Sequence, residues 1–348
     1  MKAVVLVGGE GTRLRPITET IPKPLVPLMD RASLDHVLDH LARHGVHEVV
    51  LSSSYLEAPF HAFIQGRHGD PAITWITETE PLGTGGAIVN ALEDLGGDAT
   101  FLALNGDILT DLDLTAMVAM HRERGAAATI ALTRVEDARP YGLVPTEPDG
   151  RVIEFREKPA ELVPGDINAG TYVLEVGSLV GWPRGENASI ERDIFPRLIS
   201  QGRPVFGFAS DAYWLDLGTP EQYLQAHVDL LDGRVNGHPA YAAPFVRSDA
   251  VDPRASVGRH VAIGPGVSVA AGADLRDSVL LDSATVARSA VVYRSILGPR
   301  SSVGEGARVV DCVLGADATV GAGVSLRGAR VGTGEETQTS SSGGDEPM

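Results

Sequence analysis

Cysteine, lysine, positive charge and long apolar runs are all scarce in this chain, and each shortage narrows what it can be. The only cysteine in 348 residues is Cys312, so no disulfide forms within the chain and a reducing, cytoplasmic setting is expected. Cys312 itself reads as a small buried apolar residue. No apolar run approaches the roughly 20 residues that span a bilayer. The apolar start at residues 3–7 is too short for a signal-peptide core and runs straight into a glycine-rich loop, which predicts a first strand. The formal charge is −17, which argues against nucleic acid and anionic membrane as partners, since both are drawn to broad basic surfaces. Small anionic ligands remain open, held by a few local cations. Of 29 basic residues only Lys2, Lys23 and Lys158 are lysine. Lys23 and Lys158 both stand before a proline, and a compact ammonium is not interchangeable with a guanidinium where a phosphate is met at one point.

What is present divides in two. With 43% apolar residues, a chain of this length can bury two cores. Over residues 1–232, buried-type apolar runs alternate with helical periodicity, the pattern of an α/β domain with a mostly parallel, Rossmann-like sheet covered by helices. Residues 4–7, 48–51, 73–77, 100–104 and 129–133 are predicted as strands. Ser33 is predicted to cap a helix with Leu34, Val37, Leu38 and Leu41 on one face, and Gly45 to stop it. In such sheets ligands sit beyond the carboxyl ends of the strands.

Residues 233–254 have no periodicity and read as a linker. Over residues 255–332 a six-residue repeat takes over: Val257, Ile263, Val269, Leu275, Leu281, Ala287 and Tyr293, then after slips Leu297, Val303, Val309, Leu314, Val320 and Leu326. Gly258, Gly264, Gly298, Gly304, Gly315 and Gly321 each follow a repeat position, as at tight corners. This pattern resembles the hexapeptide left-handed β-helix. Residues 333–348, rich in Gly, Thr, Ser and Glu, are expected to be a disordered tail.

The first strand leads into Gly8-Gly9-Glu10-Gly11-Thr12-Arg13-Leu14-Arg15-Pro16, where glycines let backbone N–H groups approach a phosphate chain. The spacing is neither a Walker loop nor a dinucleotide fingerprint. The glycines alone suit a tight turn equally well; Arg13, Arg15 and Lys23 supply the charge that favours an anion. Leu104 is followed by Asn105-Gly106-Asp107, which puts a carboxylate at the sheet's ligand edge, and a second stands at Asp216 in Trp214-Leu215-Asp216-Leu217-Gly218-Thr219. Either aspartate alone suits a turn or cap. Magnesium commonly takes one or two protein carboxylates.

Together these motifs resemble, in order along nearly the whole first domain, the sugar-1-phosphate nucleotidylyltransferases. The resemblance implies that Arg13 and Lys23 contact a triphosphate, with Gly8, Gly9, Gly11 and Thr12 beside it, and that Asp107 and Asp216 hold Mg²⁺. It implies that Lys158 holds a sugar phosphate, that Glu157 and Asn168 bind hydroxyls, and that Gly142 lies against the sugar ring. The segment from Glu78 to Gly86, with Glu80, Gly83, Thr84 and Gly85, falls where this family holds base and ribose. Its form resembles the branch that joins GTP to mannose 1-phosphate. A carboxylate could accept from guanine N1 and N2, but the sequence does not choose between Glu78 and Glu80, and heptose or glucose phosphates stay open. The expected partners are therefore a nucleoside triphosphate, GTP favoured, and a sugar 1-phosphate, with homo-oligomers formed through the β-helix. The rivals are a histidine-dependent acyltransferase, for which the repeats offer only His260, and a non-catalytic paralogue that binds a nucleotide sugar.

Overall fold

The computed structural model describes residues 1–53, 57–97, 99–157 and 161–342, with backbone alone at 157, 341 and 342. The chain forms two compact units, Met1–Gly9 with Leu34–Trp214, and Glu10–Ser33 with Leu215–Met348. The sequence reading places residues 10–33 with the sheet; they group instead with the second unit. The physical reason is apolar: Leu14, Ile17 and Val26 share a buried cluster with Tyr223, Ala262, Val279, Ile296 and Val313.

In the first unit Lys2–Leu6 pairs in parallel with Glu48–Ser53 and Thr100–Asn105, and Glu48–Ser53 pairs in parallel with Ala72–Thr77. Ala3, Val4 and Val5, like Phe101, Leu102 and Ala103, are fully buried, as expected of strands covered on both faces. Each of the five predicted strands is present, with its ends within two residues of expectation. Past Thr100–Asn105 the sheet turns antiparallel. Gly165–Glu175 pairs with that strand and with Ala128–Val135 and Gly142–Leu143. Gly142–Leu143 in turn pairs with Arg156–Glu157, and Val205–Ala209 joins Ala128–Val135 in parallel.

The predicted helix runs Ser33–Arg43, burying Leu34, Leu38 and Leu41, and Gly45 ends it at φ +76°. The Ser33 hydroxyl at the start of this helix also donates to the Pro24 carbonyl at 2.8 Å, tying down the preceding segment.

The second unit contains a left-handed β-helix of three parallel ladders. Inward positions run Ile263, Val269, Leu275, Leu280, Val286, Val292, Leu297, Val303, Val309, Leu314, Val320 and Leu326, all buried in one core. The step is six, six, five, so the coil repeats every 17 residues. The sequence register was thus one residue late at three points: Val292 points inward and Tyr293 does not, Val286 replaces Ala287, and Leu281 packs outside with Tyr223. The shortened corner is made by left-handed residues, Asp277, Arg294, Asp311 and Gly328 at φ +45°, +44°, +55° and +65°. Three of these are not glycine, which hid the corner.

The glycines expected at the corners do something else. A Cβ on Gly298 would stand 2.6 Å from the Leu314 carbonyl oxygen, and one on Gly304 would stand 2.6 Å from the Ala322 nitrogen. They let successive coils approach. Cys312 is buried as expected, third in a column with Ser278 and Ser295, where Ser278 Oγ accepts from Ser295 N and Ser295 Oγ from Cys312 N. Burial raises its thiol pKa.

Coil pairing also continues past Gly332, where the repeat was expected to end. Glu336–Thr337 pairs with Thr319–Val320, and Ser341–Ser342 with Leu326–Arg327. Ladder hydrogen bonds are made by the backbone, so polar composition did not reveal them. Residues 343–348 lie outside the described residues.

Candidate active site

In the first unit, predicted residues collect at the ends and edge of the sheet. Asp107 follows Thr100–Asn105 and is half-buried. Gly106 places it: its N–H donates to the Leu6 carbonyl at 2.9 Å, and a Cβ there would stand 2.9 Å from Val7 Cγ1. Only a residue without a side chain lets the two strand ends meet. Gly8 and Gly9 follow the neighbouring strand, both exposed, Gly9 at φ +115°. A Cβ on either would meet nothing within 4 Å, so their backbone stands in open space.

Gly142 and Glu157 are direct partners on adjacent strands, and Ile167, next to Asn168, is the partner of Leu143. Three predicted sugar-site residues therefore stand on three consecutive strands. Lys158 lies outside the described residues. Asn168 accepts from Gly170 N at 3.0 Å and donates to the Tyr172 hydroxyl at 2.8 Å. Gly170 is required on two counts: φ is +71°, and a Cβ would lie 2.7 Å from Asn105 Nδ2. Trp214 donates its indole N–H to the Ala169 carbonyl at 2.9 Å and packs edge-on against Tyr141 at 5.3 Å between ring centroids. Tyr141, Tyr172 and Trp214 around the Asn168-Ala169-Gly170 turn were not among the predicted site residues. Trp214 stands in the motif around Asp216, but its partners Ala169 and Tyr141 are distant in sequence.

The 78–86 segment is set the same way. Glu78 is buried, its two carboxylate oxygens accepting from Ser52 Oγ at 2.8 Å and from Leu82 N at 3.0 Å. Glu80 is exposed. Thr84 accepts from Ile190 N at 2.9 Å and donates to Glu191 at 2.8 Å, and Tyr172 donates to the other oxygen of Glu191 at 3.3 Å. Glu191, absent from the sequence-derived site, thus links Thr84 to the Tyr172–Asn168 pair. Gly83 has φ +69°. Gly85 is buried, and a Cβ would stand 3.0 Å from Ile190 N, so its place is explained by helix 83–90 packing on residues 188–190.

In the second unit the cations gather on one carboxylate. Lys23 Nζ lies 3.2 Å from Asp216 Oδ1, and Arg13 Nη2 lies 3.5 Å from Oδ2. Side-chain exposure separates them, 10% for Lys23 and 62% for Arg13, so Lys23 is locked in and Arg13 reaches solvent. Gly218 leaves room for this, since a Cβ would stand 2.6 Å from Arg13 Nη2. Thr12 opens a one-turn helix, Thr12–Leu14, after Gly11 at φ +60°. A side chain at Gly11 would press on Lys23 Cβ and Thr18 Cγ2 at 3.0 and 3.1 Å. Arg15 pairs with Glu10 at 2.7 Å. The second unit thus presents a nearly buried ammonium at Lys23 and an exposed guanidinium at Arg13 on one carboxylate.

The carboxylates of Asp107 in the first unit and Asp216 in the second are each a hard donor of the kind magnesium takes; among the described residues no group of three or more His, Cys, Asp or Glu could hold a metal ion. Among the described residues no helix is long and apolar enough to cross a membrane.

The nucleotidyl transferase family profile matches residues 2–233, and that of the GMPPB C-terminal domain matches residues 245–343. The mannose-1-phosphate guanylyltransferase of Mycobacterium tuberculosis is 38% identical over 80% of this chain and 79% of its own. The catalytic subunit beta of mannose-1-phosphate guanylyltransferase from Xenopus tropicalis is 34% identical over 75% and 74%. Among solved structures, HddC of Yersinia pseudotuberculosis complexed with GMP-PN superposes with a TM-score of 0.57 at 31% identity, covering 65% of this chain and 97% of that one. With the sheet and the glycine-cation loop in place, the chain belongs to the nucleotidyl transferase family and carries the GMPPB type of C-terminal domain.

Proposed function

We propose that this enzyme transfers a guanylyl group from GTP to mannose 1-phosphate, yielding GDP-mannose and pyrophosphate. The observation that carries the reading is the pairing of Lys23 and Arg13 on Asp216, within a glycine loop built for phosphates. A phosphate oxygen of the sugar attacks the α-phosphorus of GTP, the bond from that phosphorus to the bridging oxygen breaks, and pyrophosphate leaves. A sugar phosphate is already ionised near neutral pH, so the protein needs no nucleophile or general base; it positions and neutralises. Lys23 is held rigidly for the charge that grows in the transition state, and Arg13 is free to follow the triphosphate.

Asp107 and Asp216 would hold Mg²⁺, which when bound offsets phosphate charge. For the base, Glu80 is favoured over Glu78, because both oxygens of Glu78 are engaged within the protein and Glu80 is exposed. Gly142, Glu157 and Asn168 would meet the sugar, with Lys158 on its phosphate. Mannose and GTP rest on the named relatives. A cytoplasmic location and homo-oligomers through the β-helix belong to the same reading, supported by the single buried cysteine and by coil faces open to solvent.

The test is pyrophosphate release with Mg²⁺ and mannose 1-phosphate, comparing GTP with dTTP, UTP, CTP and ATP, then exchanging the sugar for glucose and heptose phosphates. GTP-selective release is expected, falling about 100-fold or more in Asp107→Ala and Lys23→Met. Release with another pair at higher kcat/KM replaces the substrates named; none with any pair overturns transfer.

A further inference from the structure

The β-helix face that carries Phe245, Ala262, Val279, Ile296, Val313 and Arg330 in register is unusual in what it points outward. Ala262, Val279, Ile296 and Val313 are apolar and buried, packed on Leu14, Ile17 and Val26 of the loop segment. At the next rung the outward residue changes to arginine. Arg330 Nη1 donates to the carbonyls of Arg13 at 2.9 Å and Arg15 at 2.5 Å. One rung corner later Thr333 donates to Glu19 at 2.7 Å.

We propose that Arg330 is a positioning residue for nucleotidyl transfer: from the β-helix it clamps the backbone on both sides of Leu14 and so sets where the Arg13 guanidinium stands. The proposal rests on the transfer reading above. A cation is suited to the task because N–H bonds from a charged donor to carbonyls are stronger than neutral ones. Two carbonyls bound by one nitrogen fix the turn's orientation as well as its place. The Arg13 side chain itself makes a 3.5 Å contact with Asp216, so loosening its backbone lets the cation drift, and small misplacements of a positioning group cost large factors in rate.

The experiment uses the full chain with Arg330→Met, which removes the donors and keeps the reach, and Arg330→Lys, which keeps charge and donors. Amide hydrogen exchange at Leu14 and Arg15 is read together with kcat and KM for GTP and for the sugar phosphate. Arg330 is exposed, and a melting curve confirms that both variants fold. In Arg330→Met, exchange at the two amides should rise about tenfold and kcat/KM for GTP fall about tenfold, with KM for the sugar phosphate held within about twofold. Arg330→Lys should restore both to within about threefold. Full kcat/KM in Arg330→Met, or lost activity without faster exchange, overturns the proposal. Wild-type protein that releases no pyrophosphate overturns the transfer reading and the catalytic half of this one, while the exchange contrast still decides whether Arg330 clamps the loop.

Discussion

Two faces of one β-helix, built from the same 17-residue repeat, present opposite surfaces. One points Ala262, Val279, Ile296 and Val313 outward and is covered by the chain's own segment 10–33. Another points Ser268, Thr285, Ser302 and Thr319 outward, with Ser302 and Thr319 bonded side chain to side chain at 3.1 Å. A third, with Asp274, Arg276, Arg308 and Arg327, lines an open groove of about 770 Å³. Inward residues alike in all three make the coil; outward residues decide what lies on it. The coil's apolar face thus supports the segment that carries Arg13 and Lys23, the cations to which the proposed transfer assigns the triphosphate.

The largest effect should come from breaking that contrast. Val279→Asp puts a carboxylate under the loop segment, where a buried unpaired charge costs about 3 kcal/mol or more. Segment 10–33 should detach before the coil melts, and pyrophosphate release should fall about 100-fold. The same change at exposed Thr285, on the hydroxyl face, should leave activity within about twofold and stability within about 0.5 kcal/mol. Equal losses at both positions would mean that the two faces are not distinct.

A second, smaller effect separates the coil's two kinds of glycine. A Cβ on Gly298 meets the Leu314 oxygen at 2.6 Å and the Gly315 carbonyl carbon at 2.7 Å, so Gly298→Ala must push two coils apart, at about 2 kcal/mol. Gly323 sits at φ +67° with nothing within 4 Å of a Cβ, so Gly323→Ala strains only its own backbone, at about 1 kcal/mol. Chemical denaturation of each variant distinguishes the two.

The same distinction explains what could be read from sequence. Parallel strands such as Lys2–Leu6 and Thr100–Asn105 are legible because burial on both faces leaves continuous apolar runs. Lys23 is legible because lysine is so rare, and Arg13 because it stands in the glycine loop. The coil register was not, because the left-handed corners at Asp277, Arg294 and Asp311 are not glycine, and Arg294 carries no turn signal at all. Outward Val279 and Ile296 also look, in sequence, like inward repeat positions. That obscured both the five-residue step and the affiliation of segment 10–33. In the sheet unit, Asn168 and Thr84 were readable but the Glu191 that joins them through Tyr172 was not, since its hydrogen bonds run between distant elements and leave no spacing to find.

Buried polarity sharpens the contrast once more. The coil buries Ser278 and Ser295, hydroxyls that do not titrate in the working range, whereas the sheet unit buries His121 between Thr129 at 2.9 Å and Glu175 at 3.1 Å. Desolvation pushes the His121 pKa below its ordinary value, outweighing Glu175, which pulls it up. The unfolded imidazole takes its proton near pH ~6.5 and the folded one only at lower pH. Between those points the unfolded state binds more protons, so stability present above pH ~6.5 is lost as pH falls toward the folded value. Urea midpoints measured from pH 7 to pH 5 should therefore decline, and His121→Gln, which cannot titrate, should flatten the decline while lowering the midpoint at pH 7. An undiminished slope in the variant would move the titrating group elsewhere and remove this difference between the two units.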